Sequence, residues 1–273
     1  MKILRYIGER NKEFYGKLVS GESVKPIEGD IFGDFSEADR AIKRSSIKRM
    51  LPPVDPPDVI AIGLNYKAHA DESGSPYPSA PVIFLKATSS VIGPEEKIVL
   101  PHTAPDEVDY EAELAVVIGR TAHNVAPREA ADYILGYTCA NDVSARDCQT
   151  RLDRQWARAK SFDTFCPIGP CIASDIDPNS QHIELKLNGE VMQDSNTSDL
   201  IFPVYELVSY VSMNMTLRPG TVILTGTPSG VGFTRNPPVF LRPGDTVEVV
   251  IDGIGTLTNT VVAEEPPKNK DSA

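Results

Sequence analysis

Between Glu107 and Glu113 acidic and apolar residues alternate: Glu107, Asp109, Glu111 and Glu113 are separated by Val108, Tyr110 and Ala112. In an extended strand, side chains two apart share one face, so the spacing predicts a row of carboxylates about 7 Å apart. Leu114, Ala115, Val116, Val117 and Ile118 follow and carry the same strand into a buried core. Carboxylates drawn toward a core repel one another and lose hydration, at a cost on the order of several kcal/mol unless a proton or cation compensates. A hard divalent metal held by oxygen ligands is the simplest compensation. Glu107 and Asp109 are expected nearer the solvated start of the strand, or in a loop before it.

A third acid comes from Asn141-Asp142-Val143-Ser144-Ala145-Arg146-Asp147, which follows an apolar run ending at Ala140. Asp142 thus stands where a strand gives way to a predicted helix, Ser144 to about Trp156. Asp142, Arg146 and Gln149 are spaced i, i+4, i+7 and would share one face of it. Asp142 is as well placed to cap that helix while pairing with Arg146. With Glu111 and Glu113 at hand, an all-oxygen site for Mg²⁺, Mn²⁺ or Ca²⁺ is the better account.

His69 and Glu72, in Asn65-Tyr66-Lys67-Ala68-His69-Ala70-Asp71-Glu72, are one helical turn apart. A carboxylate that orients an imidazole raises its basicity, which makes a general base at neutral pH. A lone histidine on a short helix is otherwise an ordinary surface residue. Ser73-Gly74-Ser75-Pro76 follows and suits a movable segment over a site. Lys160, ahead of Ser161-Phe162, is a desolvated cation or a surface lysine; spacing does not decide. The segment Thr225-Gly226-Thr227-Pro228-Ser229-Gly230 lacks the Gly-Lys-Ser/Thr ending of a phosphate loop, so nucleotide binding is a poor reading.

The elements that must position these residues are mostly strands. Apolar runs at 59–64, 82–85, 110–118, 134–140, 183–187, 222–224 and 246–251 read as β. Asn188-Gly189 and Asp252-Gly253 are hairpin turns. Leu-Arg-Pro-Gly occurs at 217–220 and at 241–244, each time before a β run, as a recurring turn device. Helical patterns are fewer: Pro127–Ile134, the 144–156 segment and Val204–Met213. Prolines crowd the connector Leu51–Asp58 and mark a boundary. The domains expected are residues 1–55, a small N-terminal domain and linker; 56–265, the catalytic domain; and 266–273, a flexible tail. The fold class is α+β, β-rich.

The chain has 273 residues, 41% hydrophobic and 24% charged, with net charge −11 from 38 acids and 27 bases. That balance argues against a nucleic-acid partner. No stretch approaches the roughly 20 apolar residues of a membrane span, and the first residues lack a signal-peptide apolar region. Cys139, Cys148, Cys166 and Cys171 show no CxxC pairing and read as reduced and structural, which fits a cytoplasmic protein. A mitochondrial matrix address stays open if a transit peptide was removed.

Taken together, these motifs resemble the fumarylacetoacetate hydrolase superfamily, over about Val59 to Val262 and in the family's order. Glu111 and Glu113 in Asp-Tyr-Glu-Ala-Glu-Leu match its paired glutamate metal ligands, and Asp142 its aspartate ligand. Lys160 in Ala-Lys-Ser-Phe-Asp-Thr-Phe-Cys-Pro matches the site lysine. Thr227 matches the threonine of the Gly-Thr turn, Arg146 and Gln149 match substrate contacts, and His69 and Glu72 match the lid pair. The chain lacks the long N-terminal domain of fumarylacetoacetase proper and looks most like the shorter branch. That branch includes acylpyruvate hydrolases, oxaloacetate decarboxylases or tautomerases, and hydroxy-diene-dioate isomerases. The resemblance implies a mixed β-sheet roll with a small N-terminal α/β domain, usually a homodimer, holding Mg²⁺ or Mn²⁺ chelated by a small-molecule 2-oxo acid.

The function expected is metal-dependent C–C hydrolysis of an acylpyruvate-type substrate through a metal-stabilised enolate. In that reading Glu72 orients His69 to activate water, Lys160 adds positive charge beside the oxyanion, and Arg146, Gln149 and Thr227 bind the substrate. The alternatives on the same site are oxaloacetate decarboxylation or tautomerisation and hydroxy-diene-dioate isomerisation. A non-catalytic β module with a structural Ca²⁺ site is the rival class, but such a site needs neither Lys160 nor the His69–Glu72 pair.

Overall fold

Strand-forming runs separated by Pro- and Gly-bearing turns lead to a β architecture, and the computed structural model, which describes residues 1–265, is built on sheets. The N-terminal segment supplies β1 (Lys2–Ile7), β2 (Glu13–Ser20), β3 (Ser23–Gly29), β4 (Phe35–Glu37), β5 (Ile42–Lys43) and β6 (Arg49–Met50). After the proline-rich connector come β7 (Val59–Gly63), helix α1 (Lys67–Glu72), β8 (Val82–Lys86), β9 (Val91–Ile92), β10 (Lys97–Leu100), β11 (Val108–Asp109) and β12 (Ala112–Ile118). Then follow β13 (Ile134–Asn141), β14 (Ser144–Ala145), α2 (Trp156–Lys160), β15 (Cys166–Ala173), β16 (His182–Leu187) and β17 (Glu190–Asn196). Helix α3 (Val204–Asn214), β18 (Val222–Leu224), β19 (Thr246–Ile251) and β20 (Gly255–Ala263) complete the described residues.

The large sheet runs β4-β3-β2-β1-β15-β13-β12-β18-β7-β8, with β5, β6 and β9 pairing off this path. It is mixed: β18 pairs β7 in parallel, whereas β12 is antiparallel to both β13 and β18. A second sheet, β10-β20-β19-β16-β17, packs on one face. Leu114, Val116 and Ile118 share that core with Ile183, Leu185, Val249 and Leu257. On the other face Ala115 and Val117 pack with Val59, Ala61, Val222 and Leu224. Each large apolar side chain so buried contributes roughly 1.5–3 kcal/mol. That surplus lets β12 carry a buried carboxyl, Glu113, near its start.

Several local readings change. The first fifty residues form strands and two 3₁₀ turns with no α-helix, so the N-terminal part is not α/β. Its strand β1 pairs with β15, which makes it an extension of the central sheet. The acidic strand is not continuous but breaks at Tyr110–Glu111. There the ladder is replaced by side chains: Asp109 Oδ1 accepts from Tyr110 N, and Asn141 Oδ1 from Glu111 N. The helix expected over 144–156 does not form. Its place is taken by β14, a π-type turn at Cys148–Leu152 and, after a break, α2. The Pro127–Tyr133 segment is 3₁₀ and not α.

Other readings stand. Asn188 and Gly189 carry φ of 54° and 82°, the left-handed pair that a tight hairpin needs, between β16 and β17. Both Leu-Arg-Pro-Gly segments end on a left-handed glycine, Gly220 at 85° and Gly244 at 99°. All four cysteines are buried and free, and burial pushes the Cys166 thiol up to about 12, as an inert structural residue requires. Among the described residues no helix is long and apolar enough to cross a membrane. The expected tail at 266–273 lies outside the described residues.

Candidate active site

The structure holds a cavity of about 270 Å³. Its wall includes Glu111, Glu113, Asp142, Arg146, Gln149, Lys160, Thr227 and His69, together with the rings of Phe84, Trp156 and Phe233. Of the site residues expected from the sequence, Glu72 alone stands behind the wall. Glu113 arrives on β12, Asp142 follows β13, Lys160 ends α2, His69 lies on α1, and Thr227 follows β18. Hydrogen-bonded neighbours β13, β12 and β18 therefore deliver three of these side chains side by side.

Oxygens of Glu111, Glu113 and Asp142 lie within 4.8 Å of one another, and all three residues are buried. Asp142 does not cap a helix. Its Oδ1 accepts from Lys86 Nζ and its Oδ2 from Lys160 Nζ at 2.6 Å. Lys160 also donates to Glu111 Oε2 at 2.7 Å, and only 2% of it is exposed, so it is the desolvated cation and not a surface lysine. Arg146 Nη2 stands 2.7 Å from Glu111 Oε1. Burial works to raise the Glu111 carboxyl, but Lys160 and Arg146 outweigh it and hold it down at about 2. Glu113 has no such partner: burial, then the charges of Asp142 and Glu111, push its carboxyl well above the usual range. Among the described residues its one close donor is the backbone N–H of Gly226, at 2.6 Å.

That contact dictates the residue at 226. Gly226 has φ 101°, and an added Cβ would come to 2.7 Å of Asn65 Cβ, so only glycine brings this amide to the carboxylate. Next to it, Thr227 Oγ1 accepts from Gln193 Nε2 at 2.8 Å, which leaves its own O–H free to donate into the cavity. Leu64, also in the wall, sits at φ 49°, strain that a packed site sustains.

On the opposite wall His69 Nδ1 stands 3.2 Å from Glu72 Oε2. His69 is 8% exposed and is no ordinary surface residue. Burial works to raise the Glu72 carboxyl, but hydrogen bonds from His69, Thr234 and Gly230 bring it below its ordinary value. A carboxylate in that position accepts a hydrogen bond from the Nδ1–H tautomer, in which the Nε2 lone pair is the one available to a partner. Arg146 and Gln149 do meet, Nη1 donating to Oε1 at 2.7 Å. Arg146 is otherwise committed to Asp109 and Glu111, and its guanidinium lies 4.3 Å over the Phe233 ring.

Comparison with known proteins agrees with this geometry. Residues 58–262 match the family described as fumarylacetoacetate (FAA) hydrolase C-terminal. The chain belongs to the fumarylacetoacetate hydrolase family. Within this family of enzymes it is 45% identical over 225 residues to a mitochondrial oxaloacetate tautomerase of Xenopus laevis, covering 81% of this chain and 70% of that protein. It is 54% identical over 214 residues to an uncharacterised protein of Archaeoglobus fulgidus, covering 78% of this chain and 82% of the other. Among solved structures, the 5-carboxymethyl-2-hydroxymuconate delta-isomerase of Mycobacterium smegmatis superposes with TM-score 0.86 at 43% identity, over 97% of this chain and all of that one (100%).

Family members are typically divalent-metal enzymes, and the donor set here fits one: three buried carboxylates with converging oxygens, one of them short of positive partners. Two residues of the site escaped the sequence reading. Lys86 is a fully buried partner of Asp142, and its only signal is a lysine closing the apolar run Val82–Leu85. Asp109 is not solvated at all: it is 0% exposed and accepts from Arg146 Nε at 2.9 Å. Glu107 does keep to the surface side, paired with Arg151.

Proposed function

We propose that this protein is a divalent-metal-dependent enzyme that moves a proton on a short 2-oxo dicarboxylate, with oxaloacetate keto–enol tautomerisation as the favoured reaction. The observation that carries it is one cavity lined by the carboxylate triad, Lys160 and His69, with Glu72 bonded to His69 from behind. The tautomerase name of relatives at about 45% identity favours oxaloacetate, and the isomerase name of the solved relative favours proton transfer over hydrolysis.

Glu111, Glu113 and Asp142 would hold Mg²⁺ or Mn²⁺. When bound, such an ion supplies Lewis-acid stabilisation to a chelating 2-oxo carboxylate. Thr227 donates its free hydroxyl to the substrate carboxylate, and Gln149 offers its amide N–H. Lys160 keeps a cation beside the carbonyl oxygen, where negative charge develops. In the keto-to-enol direction His69 Nε2 takes a proton from carbon 3 and passes it to the carbonyl oxygen of the resulting enolate; in the reverse direction it takes the enol O–H proton and delivers it to carbon 3. Glu72 steadies the imidazolium that this creates. Arg146, already bound to Asp109, Glu111 and Gln149, acts by holding those groups.

A second reading, hydrolysis of an acylpyruvate, has the same dyad in its favour, since His69 could equally deprotonate water. A Mg²⁺-supplemented panel of enol-oxaloacetate, acylpyruvates, fumarylpyruvate and hydroxy-diene-dioates decides between them, followed by enol absorbance and product analysis. Metal-dependent decay of the enol without loss of carbon supports the tautomerase. Cleavage of the acylpyruvates alone selects the hydrolase, and turnover that survives a chelator overturns both. The homodimer and a boundary at the connector near residue 55 are part of the same proposal, tested on the full chain by light scattering and by limited proteolysis.

A further inference from the structure

Two carboxylates far apart in the sequence grip one loop, Gly230–Thr234. Glu72, at the end of α1, accepts from Gly230 N at 3.0 Å and from Thr234 Oγ1 at 2.8 Å. Asp109, on β11, accepts from Gly232 N at 2.8 Å and from Phe233 N at 3.1 Å. Asp109 also accepts a hydrogen bond from Arg146 Nε at 2.9 Å, and the Phe233 ring centroid lies 4.3 Å beneath that guanidinium. At Gly232 an added Cβ would fall 1.9 Å from Val239 O and 2.5 Å from Asp109 Oδ1, so the close approach admits no side chain. A continuous set of contacts thus runs His69–Glu72–loop–Asp109–Arg146–Glu111, from one wall of the cavity to the other.

Helix α1 is six residues long, too short to be stable alone, and buries only His69 and Ala70. Besides Glu72, its side-chain hydrogen bonds to other segments among the described residues are Asp199 accepting from Ala68 N at 3.0 Å and Asp71 accepting from the Tyr77 hydroxyl at 3.1 Å. Glu72 makes one contact to His69 and three to the loop.

We propose that Asp109 is a positioning residue: by fixing the Gly230–Thr234 loop and Arg146 together, it sets the seat onto which Glu72 latches α1 and with it His69. This rests on reading the cavity as the active site, and it adds that the two walls are mechanically coupled through the loop. The coupling is reciprocal, since any shift of the loop is felt by both carboxylates.

Hydrogen exchange on the full-length protein tests it, in the wild type and in Asp109→Asn, Glu72→Gln, Thr234→Val and the Asp109→Asn/Glu72→Gln double variant. In each single variant the Ala70 and Ser73–Ser75 amides, which are bonded within α1 and its turn, exchange about tenfold faster, as loss of a charge-assisted bond implies. Amides of β12 and β13 do not change, which a general loss of stability would not allow. The double variant exchanges no faster than the faster single one, because both act through one loop. Wild-type exchange of α1 in Asp109→Asn, or additive increments, overturns the proposal. Should Asp109→Asn not fold, Glu72→Gln decides from the other end: faster exchange at Gly232 and Phe233 supports the coupling, and unchanged exchange refutes it. With oxaloacetate as substrate, Glu72→Gln lowers kcat and leaves KM within about twofold; a rise in KM alone contradicts a role in seating His69. The exchange readout requires no turnover, so a wrong substrate assignment and a wrong coupling fail separately.

Discussion

The two walls of the cavity are built to different standards. The wall proposed to hold the metal is carried by the middle of a thirteen-stranded sheet, with β12 buried at every position and two of the three acids, Glu111 and Asp142, matched by Lys86, Lys160 and Arg146. The wall proposed for proton transfer is one short helix with an exposed flank, tied down in part by hydrogen bonds to a loop. Charge that must stay buried demands a scaffold whose packing outweighs its desolvation cost. A base that must meet a substrate is better placed where local opening costs little. On the proposed function the contrast separates binding from chemistry, and substitutions on each side should separate them in measurement.

The largest effect is expected at the metal wall. Glu113→Ala removes the ligand with fewest positive partners, and both Mn²⁺ binding by calorimetry and turnover should fall below detection. A chelator should do the same to turnover while leaving the fold intact, because Lys86, Lys160 and Arg146 already offset the acids. Unfolding on chelation would make the metal structural and erase the contrast. His69→Ala should lower kcat by about 10²–10⁴-fold yet leave metal-dependent oxalate binding unchanged; loss of oxalate binding would place His69 on the wrong wall. Lys86→Met leaves a buried Asp142 oxygen without its cation and should cost about 3 kcal/mol in urea unfolding, with a larger effect on stability than on KM. Gln149→Ala, at the rim between the walls, should raise KM by less than about tenfold with kcat little changed.

Much of the metal wall was legible from residue order. Alternation of acids and apolar residues ahead of Leu114–Ile118 foretold a strand that enters the core bearing carboxylates, and Glu113 does so. The spacing of His69 and Glu72 foretold their contact. Other inferences failed where side chains replaced backbone partners. Asp109 and Asn141 take the amides of Tyr110 and Glu111, so the strand breaks where periodicity alone continues it. The same loss of regularity undid the helix over 144–156, yet Arg146 still reaches Gln149, because a turn brings them together as well as a helix would. Lys86 was invisible because one lysine closing a strand carries no spacing to mark it.

The order of residues by itself determined which groups could do chemistry, the family, and the strands that present Glu113 and Thr227, since these follow from local periodicity and turn chemistry. Tertiary structure alone decided which acid would be left without a cation, which arginine would be spoken for, and that Asp109 would be buried. Those outcomes depend on contacts between residues 18 to 124 positions apart. Desolvation and Coulomb energy are set by where the whole chain packs, and no local pattern encodes that sum.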